Sequence, residues 1–442
     1  MALVEREPHL GGAGINTGTV PSKTLRESAL YYSGLRQRGL YGTDYSLKEG
    51  LTVGHFMHRA RIVVENEWRI IQRNLDRHRI EVIRGEASLK DVHTVHVRTP
   101  MVAGAISRPR SSSSPRGRPL SSARHPLRRP GHLRFGLHPA HAENPHTMAV
   151  VGGGVIGSEY ASIFMALGVE VTLVDSGDRL LSFVDREIAE RLQARLSSLG
   201  LHFMFKDRVA MVTVSGDRVR LGLRSGAELG CDIALFAAGR QSNVEGLGLE
   251  AVGIELGPRG LIPVNERFQT RVPNIFAAGD VIGFPALAST SMEQARVAMV
   301  HAFNLLYKER ISPVLPLAVY TIPEIAMVGL SEEACRERNI PYLVGRAFYD
   351  KSPRGQIIGD LTGMVKLVFS PEDGRLLGAH HIGELAAELV HIGAQVMAVG
   401  GTIDAFIDAV YNYPSLSDSY KYAAYDGLGQ RQAWRRERGL EA

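Results

Sequence analysis

Cysteine is almost absent from the 442-residue chain, which contains only Cys231 and Cys335. Two cysteines so far apart in sequence cannot build a disulfide framework, and neither lies in a spacing typical of a zinc site or a redox motif. Both are therefore expected to be ordinary free thiols. Such sparing use of cysteine is typical of a reducing compartment, and it predicts a cytoplasmic location.

Long apolar runs are also missing. No stretch of the sequence approaches the roughly 20 apolar residues that a helix needs to cross a bilayer. The first residues pass directly into the strand-like segment ALVERE, and no signal peptide is visible. The sequence therefore predicts a soluble protein with no membrane partner.

Negative charge is scarce in one segment only. The chain carries 51 Lys and Arg against 46 Asp and Glu, a formal net charge of +5. Residues 101–146 contain eight arginines and one glutamate, a local charge of +7, so the rest of the chain carries −2. Because the positive excess belongs to this basic segment, the remainder gives no indication of a nucleic-acid partner.

The basic segment, residues 101–146, also lacks any apolar periodicity and is rich in proline, serine and arginine. Such a composition cannot bury enough apolar surface to fold, and it is typical of a disordered linker. A linker of this length is unusual inside a compact α/β protein. We therefore hypothesise a frame-shifted translation of an ordinary coding region, restored near Thr147, which two compensating insertions or deletions in the gene would establish.

The length of the chain exceeds what one hydrophobic core normally organises, so two or three domains are expected. The 47 glycines are typical of an α/β protein with many tight turns. Before the basic segment, the pattern predicts a strand ending at Glu5, helices from about Ser22 and between about Gly54 and His78, and short strands. After about residue 316, it predicts strands and two helices.

The clearest local unit reads TMAVVGGGVIGSEYASIFMALGVEVTLVD, over residues 147–175. Gly152, Gly154 and Gly157 form a G-x-G-x-x-G loop between a predicted strand and a predicted helix. The first glycine permits a tight turn, the second lets the backbone approach a pyrophosphate, and the third allows close helix–strand packing. The unit therefore predicts a dinucleotide site.

Acidic residues follow several predicted strands. Asp175 is placed to accept from a ribose 2′-hydroxyl, which favours NAD(H), whereas the nearby Arg179 leaves NADP(H) open. Glu5 looks like the ribose acid of a second dinucleotide fold, although alone it is also an ordinary surface acid at a strand end. Asp280 follows a predicted strand in VPNIFAAGDVIGFPALAST (272–290), where small side chains allow a ligand to approach closely.

Taken in chain order, these motifs resemble the flavoprotein pyridine nucleotide–disulfide oxidoreductase family. The resemblance covers about residues 1–100 and 147–430 and rests on the motifs GG…NTGTVPSK, GGGVIGSEYA, AAGR, NIFAAGDVIG, YTIPEIAMVGLSE and YNYPSLSDSY. It implies an α/β fold with two Rossmann-like dinucleotide-binding domains, an FAD domain with an inserted NAD(P) domain, and an α+β C-terminal dimerisation domain. Within the family, the motifs are most similar to the soluble (Si-specific) pyridine nucleotide transhydrogenase branch, whose members use FAD to pass hydride between NAD(H) and NADP(H).

The resemblance also implies domain boundaries. In chain order they give the first part of the FAD-binding domain (1–100), the basic segment, disordered or frame-shifted (101–146), the NAD(P)-binding domain (147–265), the second part of the FAD-binding domain (266–312) and the dimerisation domain (313–442). The first part lacks the family's first strand and its G-x-G-x-x-G loop, about 30 residues. We therefore expect that the start codon has been assigned too late.

The redox loop of the family has no sulfur in this chain. Where disulfide reductases carry two cysteines, Gly14 and Thr19 stand here. Where they carry a C-terminal catalytic histidine and its glutamate, Tyr413 and Asp418 stand here. The cysteine pair and the histidine–glutamate pair are both absent, which implies a reaction without a dithiol. Hydride transfer through flavin is such a reaction.

Lys23 is retained, and the resemblance places it beside the flavin ring, paired with Glu159. The pair would stabilise negative charge on the reduced ring while leaving the ring open to nicotinamide. The structural alternatives are a solvated lysine near the start of one helix and an acid that stabilises the start of another.

The resemblance assigns further residues to binding and assembly. The residues of the FAD site are Glu5, Arg6, Gly11, Gly12, Gly14, Thr19, Lys23, Ala87, Asp280 and Ala288. Those of the NAD(P) site are Gly152, Gly154, Gly157, Asp175, Gly239 and Arg240. Tyr413 and Asp418 would close the flavin site of a partner subunit in a twofold-symmetric homodimer, and Glu388 and His391 would lie at the dimer interface. No metal site is expected.

Three functions remain open from the sequence alone. The leading one is an FAD-dependent transhydrogenase that moves hydride reversibly between NADPH and NAD⁺. The second is another thiol-independent enzyme of the family, an NAD(P)H oxidase or quinone reductase. The third is a flavin-free, non-catalytic nucleotide-binding dimer, which the missing FAD loop favours. Flavin content separates the third from the enzymes, and anaerobic transfer to an NAD analogue separates a transhydrogenase from an oxidase.

Overall fold

The computed structural model describes residues 1–34, 53–99, 145–216, 218–239 and 242–440. The basic segment, predicted to be disordered or frame-shifted, lies outside the described residues apart from its last two positions, and Arg240 also lies outside them. Within the described ranges, no helix combines the length and the hydropathy that crossing a bilayer requires.

Strands and helices alternate along most of the described chain. In chain order the strands are β1 (Ala2–Glu5), β2 (Glu81–Arg84), β3 (Glu86–Asp91), β4 (Thr94–Arg98), β5 (Thr147–Val151), β6 (Glu170–Val174), β7 (His202–Met204), β8 (Val209–Ser215), β9 (Arg218–Leu223), β10 (Glu228–Cys231), β11 (Ile233–Phe236), β12 (Leu317–Val319), β13 (Ile325–Gly329), β14 (Leu343–Phe348), β15 (Met364–Phe369) and β16 (Leu376–Ile382). The helices are α1 (Gly12–Asn16), α2 (Thr19–Ser33), α3 (Val53–Arg77), α4 (Val155–Ala166), α5 (Arg186–Ser198), α6 (Ala288–Ala302), α7 (Glu332–Glu337), α8 (Pro353–Ile358), α9 (Ala386–Ala398), α10 (Asp404–Asp408) and α11 (Ser419–Glu437).

The chain divides into two units. The first comprises Met1–Gly18, Val64–His132 and Arg240–Ile311. The second comprises Thr19–Val63, Leu133–Gly239 and Ser312–Ala442.

In the first unit, β1 pairs in parallel with β2, and β3 pairs antiparallel with β4. Glu5 is the last residue of β1, so the predicted strand ending there is confirmed. A small apolar core, formed by Leu249, Val252, Ile254 and Ile262, packs against partly buried side chains that include Leu89.

The second unit contains a four-stranded parallel sheet in the order β11–β5–β6–β7. The predicted strand–loop–helix–strand unit is confirmed as β5, α4 and β6. Every residue of α4 from Gly157 to Ala166 is buried, which explains its run of small and apolar residues, interrupted by the charged Glu159. Because β5 lies between β6 and β11, the strand order reverses at β5, and doubly wound sheets bind ligands at the carboxyl end of such a strand. A separate three-stranded antiparallel sheet has the order β10–β9–β8.

The C-terminal part of the second unit is built on a five-stranded antiparallel sheet in the order β12–β13–β16–β15–β14. Helix α9 packs on β13 and β16, and α11 packs on β14 and β15. These are the two helices that the sequence predicts. A helical, polar stretch around Cys335 is also predicted, and it is confirmed as α7. The structure adds α8 and α10, which have only six and five residues and are too short to show helical periodicity in sequence.

Two strand predictions are wrong. The segment before Asp280 forms only an isolated bridge between Gln269 and Phe276, followed by a 3₁₀ turn over Asp280–Ile282. The glycines on either side of that turn have φ values of 86° and 101°, which interrupt an extended backbone. The segment CDIALFAAG predicts a strand that begins at Cys231, but Cys231 ends β10 and the strand begins only at Ile233. The cause is Asp232, whose carboxylate accepts hydrogen bonds from two backbone N–H groups and separates β10 from β11.

Candidate functional site

The glycine-rich loop between β5 and α4 has a form that only glycine permits. Gly152 has a φ of 110°, and a Cβ there would lie 2.8 Å from the carbonyl oxygen of Ala237. A Cβ on Gly157 would lie 1.8 Å from the carbonyl oxygen of Gly152. In contrast, a Cβ on Gly154 would have no heavy atom within 4 Å, so this backbone can approach a ligand. The geometry agrees with the three predicted roles, and nucleotide binding itself stays a prediction.

Asp175 follows β6 and fastens the neighbouring loops. Its carboxylate oxygens accept hydrogen bonds from the backbone N–H groups of Gly153 at 2.5 Å and Gly177 at 2.6 Å. Arg179, on the same loop, donates from Nη2 to the carbonyl oxygen of Ser182 at 2.6 Å. Its buried Nη1 has no hydrogen-bond partner among the described residues. An acid and a cation therefore lie together after β6, where a nucleotide ribose is expected.

The loop after β11 is the other side of this reversal in strand order. Gly239 lies three residues beyond β11, is exposed, and has a φ of 118°. Such a backbone favours glycine, in agreement with a turn that opens towards a ligand.

Lys23 and Glu159 form an ion pair between α2 and α4. Lys23 Nζ lies 2.8 Å from Oε1 and 2.9 Å from Oε2 of Glu159, although 136 residues separate the two in sequence. The side chain of Glu159 is 4% exposed and that of Lys23 is 27% exposed. The structure thus brings together the two predicted catalytic residues, with the carboxylate buried and the ammonium open on one side.

Two further residues complete the surroundings of this pair. The Ser22 hydroxyl donates to Oε2 of Glu159 at 3.4 Å, and the backbone N–H of Tyr320 donates to Oε1 at 3.0 Å. The ring centroid of Tyr320 lies 4.7 Å from Lys23 Nζ. These donors satisfy the buried carboxylate, which is the condition for burying a charge. Sequence reasoning assigns no role to Tyr320, although the family motif YTIPEIAMVGLSE begins at this residue.

Arg26 fixes the segment Tyr320–Glu324 to α2. Its Nε donates to the carbonyl oxygen of Thr321 at 2.9 Å, and its Nη1 lies 3.1 Å from Glu324 Oε1. The other oxygen of Glu324 accepts from the backbone N–H of Ala387 in α9 at 3.1 Å. Burial raises the pKa of Glu324 in spite of the opposing effect of Arg26. Sequence reasoning also misses Arg26, although a charged residue on the apolar face of α2 is a usable signal.

The predicted FAD-site residues at the start of the first unit lie on β1 and the loop after it. The Glu5 carboxylate accepts from the backbone N–H of Glu7 at 2.9 Å, and the Arg6 guanidinium lies 3.5 Å from the Glu7 carboxylate. Gly11 and Gly12 have φ values of 102° and 56°, so both need glycine at the turn into α1. The turn geometry fits these predictions without testing cofactor binding.

The remaining predicted FAD-site residues are spread over several elements. Gly14 lies within α1, Thr19 begins α2 in the second unit, Ala87 lies in β3, Asp280 begins a 3₁₀ turn and Ala288 begins α6. Beside Asp280, the backbone N–H of Gly279 donates to the side-chain oxygen of Gln294 at 2.7 Å. Their part in cofactor binding stays a prediction.

An aromatic stack in the first unit supports the loop after β1, and sequence reasoning misses it. The rings of His9 and Trp68 are parallel, with centroids 3.6 Å apart. Trp68 Nε1 donates to Oδ1 of Asn16 at 2.8 Å. The amide nitrogen of Asn16 donates to the carbonyl oxygens of Leu10 and Gly12 at 3.0 Å and 2.9 Å. The loop carrying the predicted glycines is therefore held against α3.

Neither thiol of this chain is placed for redox chemistry. Its two cysteines, Cys231 and Cys335, are both free and buried. Burial raises the pKa of both thiols, which disfavours a thiolate. The prediction of two ordinary free thiols is confirmed.

The residues predicted to close or form a subunit interface lie at the surface. Tyr413 is 71% exposed, and Asp418 ends a 3₁₀ segment directly before α11. Glu388 and His391 are exposed on α9. Exposure is what an interface residue needs, and the roles of all four at an interface stay predictions.

Two sequence models of one family match the chain. The pyridine nucleotide-disulphide oxidoreductase model matches residues 1–302, and the dimerisation-domain model of the same name matches residues 315–424. Together they confirm the predicted α/β class with a C-terminal dimerisation domain.

Relatives of known name match almost the whole chain. A soluble pyridine nucleotide transhydrogenase from Mycobacterium tuberculosis (strain ATCC 25177 / H37Ra) is 41% identical over 441 residues, which cover 98% of this chain and 93% of the relative. A protein of the same name from Colwellia psychrerythraea is 36% identical over 442 residues, 97% of this chain and 93% of the relative.

Solved structures show the same architecture. LpdA from Mycobacterium tuberculosis superimposes with a TM-score of 0.79 at 25% identity, covering 96% of this chain and 93% of LpdA. The HOCl-induced flavoprotein disulfide reductase RclA from Escherichia coli superimposes with a TM-score of 0.76 at 25% identity, covering 95% of this chain and 92% of RclA.

Proposed function

The chain belongs to the pyridine nucleotide-disulphide oxidoreductase family, and from this premise we propose that it is an FAD-dependent transhydrogenase that passes hydride reversibly between NADPH and NAD⁺. FAD would be the resident cofactor, and NAD(H) and NADP(H) would be the substrates. The observation that carries the proposal is the intact Lys23–Glu159 pair in a chain whose redox loop has no sulfur.

The glycine-rich loop fits a dinucleotide. Gly154 leaves its backbone open, and it stands at the N-terminus of α4, a 12-residue helix whose dipole favours an anion. Asp175 and Arg179 lie on the adjacent loop, where they would contact the ribose and its 2′-substituent. Nicotinamide nucleotides would bind here.

The Lys23–Glu159 pair fits a flavin ring. Because the carboxylate is buried and fully bonded, the partly exposed ammonium of Lys23 is held as a fixed positive group. A bound flavin supplies the two-electron hydride chemistry, and it needs no thiol from the protein. The ammonium would stabilise negative charge that develops beside it, without reorganising during the reaction.

The active unit would be a cytoplasmic homodimer. The match of residues 315–424 to the family's dimerisation domain supports a dimer, and the exposure of Tyr413 supports its proposed place in closing the partner subunit's flavin site. In this proposal, the FAD domain comprises residues 1–100 and 266–312, and residues 147–265 form the NAD(P) domain.

The test is the visible spectrum of the full chain incubated with FAD under nitrogen. The flavin band is expected to bleach with NADPH and to return when NAD⁺ is added. Lys23→Met should lower the rate of this transfer by about 100-fold, the usual effect of removing one preorganised electrostatic group. Lys351→Met is the matched control, because the side chain of Lys351 is 80% exposed.

Two results would contradict the proposal. A chain that takes up no FAD is not a flavoenzyme in this form. A flavin that NADPH bleaches but only oxygen restores belongs to an oxidase.

A further inference from the structure

We infer that Tyr320 is a positioning residue for Lys23, and that the face of its ring holds the ammonium against Glu159. The inference rests on the proposed function and adds to it a residue outside the predicted site. It assigns a purpose to a contact that has no other explanation in the packing of α2.

The ammonium of Lys23 has three kinds of neighbour. Both oxygens of Glu159 lie within 2.9 Å, and the Ser22 hydroxyl lies at 3.3 Å. The centroid of the Tyr320 ring lies at 4.7 Å. A ring face carries partial negative charge and attracts a cation within about 6 Å of its centroid. The ring therefore adds a second attractive surface beside the carboxylate.

The backbone on both sides of Tyr320 is held by contacts that do not involve Lys23. Val319, the residue before it, is fully buried and ends β12 in register with Ile325 of β13. Thr321, the residue after it, accepts the Arg26 hydrogen bond. The backbone N–H of Tyr320 itself donates to Glu159. With the backbone held on both sides, only the side-chain torsions of Tyr320 remain to be fixed when the contact forms, so little conformational entropy is lost.

The phenol of Tyr320 stays neutral at physiological pH. Burial raises its pKa, and the carboxylates of Glu324, Glu388 and Glu159 raise it further. The ring thus acts on Lys23 through its face and not as a phenolate that would compete with Glu159. It follows that phenylalanine can replace tyrosine in this role, whereas an aliphatic side chain cannot.

The first test needs no flavin. The full chain and its variants are treated with a limiting amount of acetic anhydride, and acetylation of each lysine is measured by mass spectrometry. Tyr320→Leu should increase the acetylation rate of Lys23, relative to that of exposed Lys351, by about fivefold, the factor that corresponds to a lost cation–π attraction of about 1 kcal/mol. Tyr320→Phe should leave the ratio unchanged.

The second test uses the FAD-loaded chain and a double-mutant cycle. The equilibrium constant for reduction of the bound flavin by NADH is read from its absorption band. Tyr320→Leu should lower this constant, because an ammonium that the ring no longer holds stabilises the reduced flavin less, and the change should not exceed about fivefold, the whole of the lost attraction. In the Lys23→Met background, it should have no further effect, because a residue that acts through Lys23 needs the ammonium.

Unchanged Lys23 labelling in a folded Tyr320→Leu chain, checked by its thermal unfolding, overturns the inference. An undiminished effect of Tyr320→Leu in the Lys23→Met background overturns it as well. Failure to bind FAD overturns the proposed function instead, and the labelling result still decides whether Tyr320 positions Lys23.

Discussion

Lys23 and Lys366, both in the second unit, form close ion pairs with carboxylates, and their surroundings differ sharply. Lys23 is 27% exposed beside a Glu159 that is 4% exposed. Lys366 is 1% exposed beside an Asp185 that is completely buried, with Nζ 2.8 Å from Oδ1 and 2.9 Å from Oδ2. The bond lengths are nearly the same, but only Lys23 offers its charge to anything outside the protein.

The charges around Lys366 form a cluster of five residues, the Lys366 cluster: Lys366, Asp185, Glu187, Glu332 and Arg346. Lys366 and Asp185 are buried, whereas the side chains of Glu332, Glu187 and Arg346 are 16%, 28% and 33% exposed. Lys366 Nζ lies 3.0 Å from Glu187 and 2.6 Å from Glu332, and Arg346 Nη2 lies 3.0 Å and 3.5 Å from the same two carboxylates. Burial alone raises the pKa of Asp185, but His380 and Lys366 oppose it and hold the pKa below its usual range.

The Lys366 cluster joins helix α5 to the five-stranded sheet. Asp185 is the N-cap of α5 and accepts from the backbone N–H of Ile188. Lys366 and Arg346 are direct neighbours on β15 and β14. Because the ammonium of Lys366 is buried and paired with three carboxylates, it can only support structure. The comparison teaches that exposure of the cation itself, and not the presence of an ion pair, separates a candidate for chemistry from a structural lysine.

The largest expected effect on stability comes from replacing the buried Lys366. Lys366→Met leaves buried carboxylates without their shared cation and should lower the free energy of unfolding by about 3–5 kcal/mol. Lys23→Met removes a partly exposed cation from a carboxylate that keeps two other donors, so the loss should be about 1 kcal/mol. Urea unfolding of both variants measures the difference, and equal losses would show that the two pairs are not distinct in kind.

A fall in pH should weaken the region around the buried His381. His381, next to His380 on β16, is fully buried. Since the Tyr420 hydroxyl donates to the carbonyl oxygen of Leu389, His381 Nε2 must donate to that hydroxyl at 2.8 Å. Its Nδ1 is then an unprotonated nitrogen with no partner in the described part of the chain.

Burial, with a smaller effect of His380, lowers the pKa of His381 from its ordinary value of 6.5 to about 3. Below pH 6.5 the unfolded chain therefore binds a proton that the folded chain does not, so stability is complete above 6.5 and falls as pH falls towards 3. Between pH 7.5 and 5.0 the loss should be about 2 kcal/mol from this residue. Urea unfolding at both pH values measures this fall in the free energy of unfolding. In His381→Gln the fall should be smaller by about 2 kcal/mol, because glutamine binds no proton. An unchanged pH dependence in that variant would mean that His381 is protonated in the folded chain.

The smallest expected effect concerns the support of the open pair. Ser22→Ala removes a long hydrogen bond to Glu159 and should cost about 1 kcal/mol of stability. Ser28→Ala is the matched control, because Ser28 lies on the same helix and its hydroxyl donates to the carbonyl oxygen of Thr24 within that helix and not to Glu159. If urea unfolding shows the same loss of unfolding free energy in both variants, Ser22 contributes nothing to stability through Glu159.

Sequence alone gives the parts of the fold and site whose signals are local. The unit at residues 147–175 is predictable because three glycines, a helix and an acid follow one another at fixed spacing. Lys23 and Glu159 are predictable because each lies within a family motif. The strand expected before Asp280 fails since flanking glycines with positive φ override the apolar pattern.

The Lys366 cluster and the contact between Tyr320 and Lys23 are harder to predict from the sequence, because they join elements that are far apart in the chain. Asp185 and Lys366 are separated by 181 residues. A usable signal exists in MVKLVF, where Lys366 interrupts an apolar strand whose six residues are all buried. Such a lysine predicts a buried acid as partner but does not say which one.

The bond from Arg26 to Thr321 spans 295 residues. During synthesis at about 5–20 residues per second, α2 leaves the ribosome about 15–60 s before the carbonyl group that its buried guanidinium requires. Until then, the charge must remain hydrated and α2 cannot take its final place. Lys23, one turn earlier on the same helix, is consequently among the first residues translated and among the last to reach its final environment.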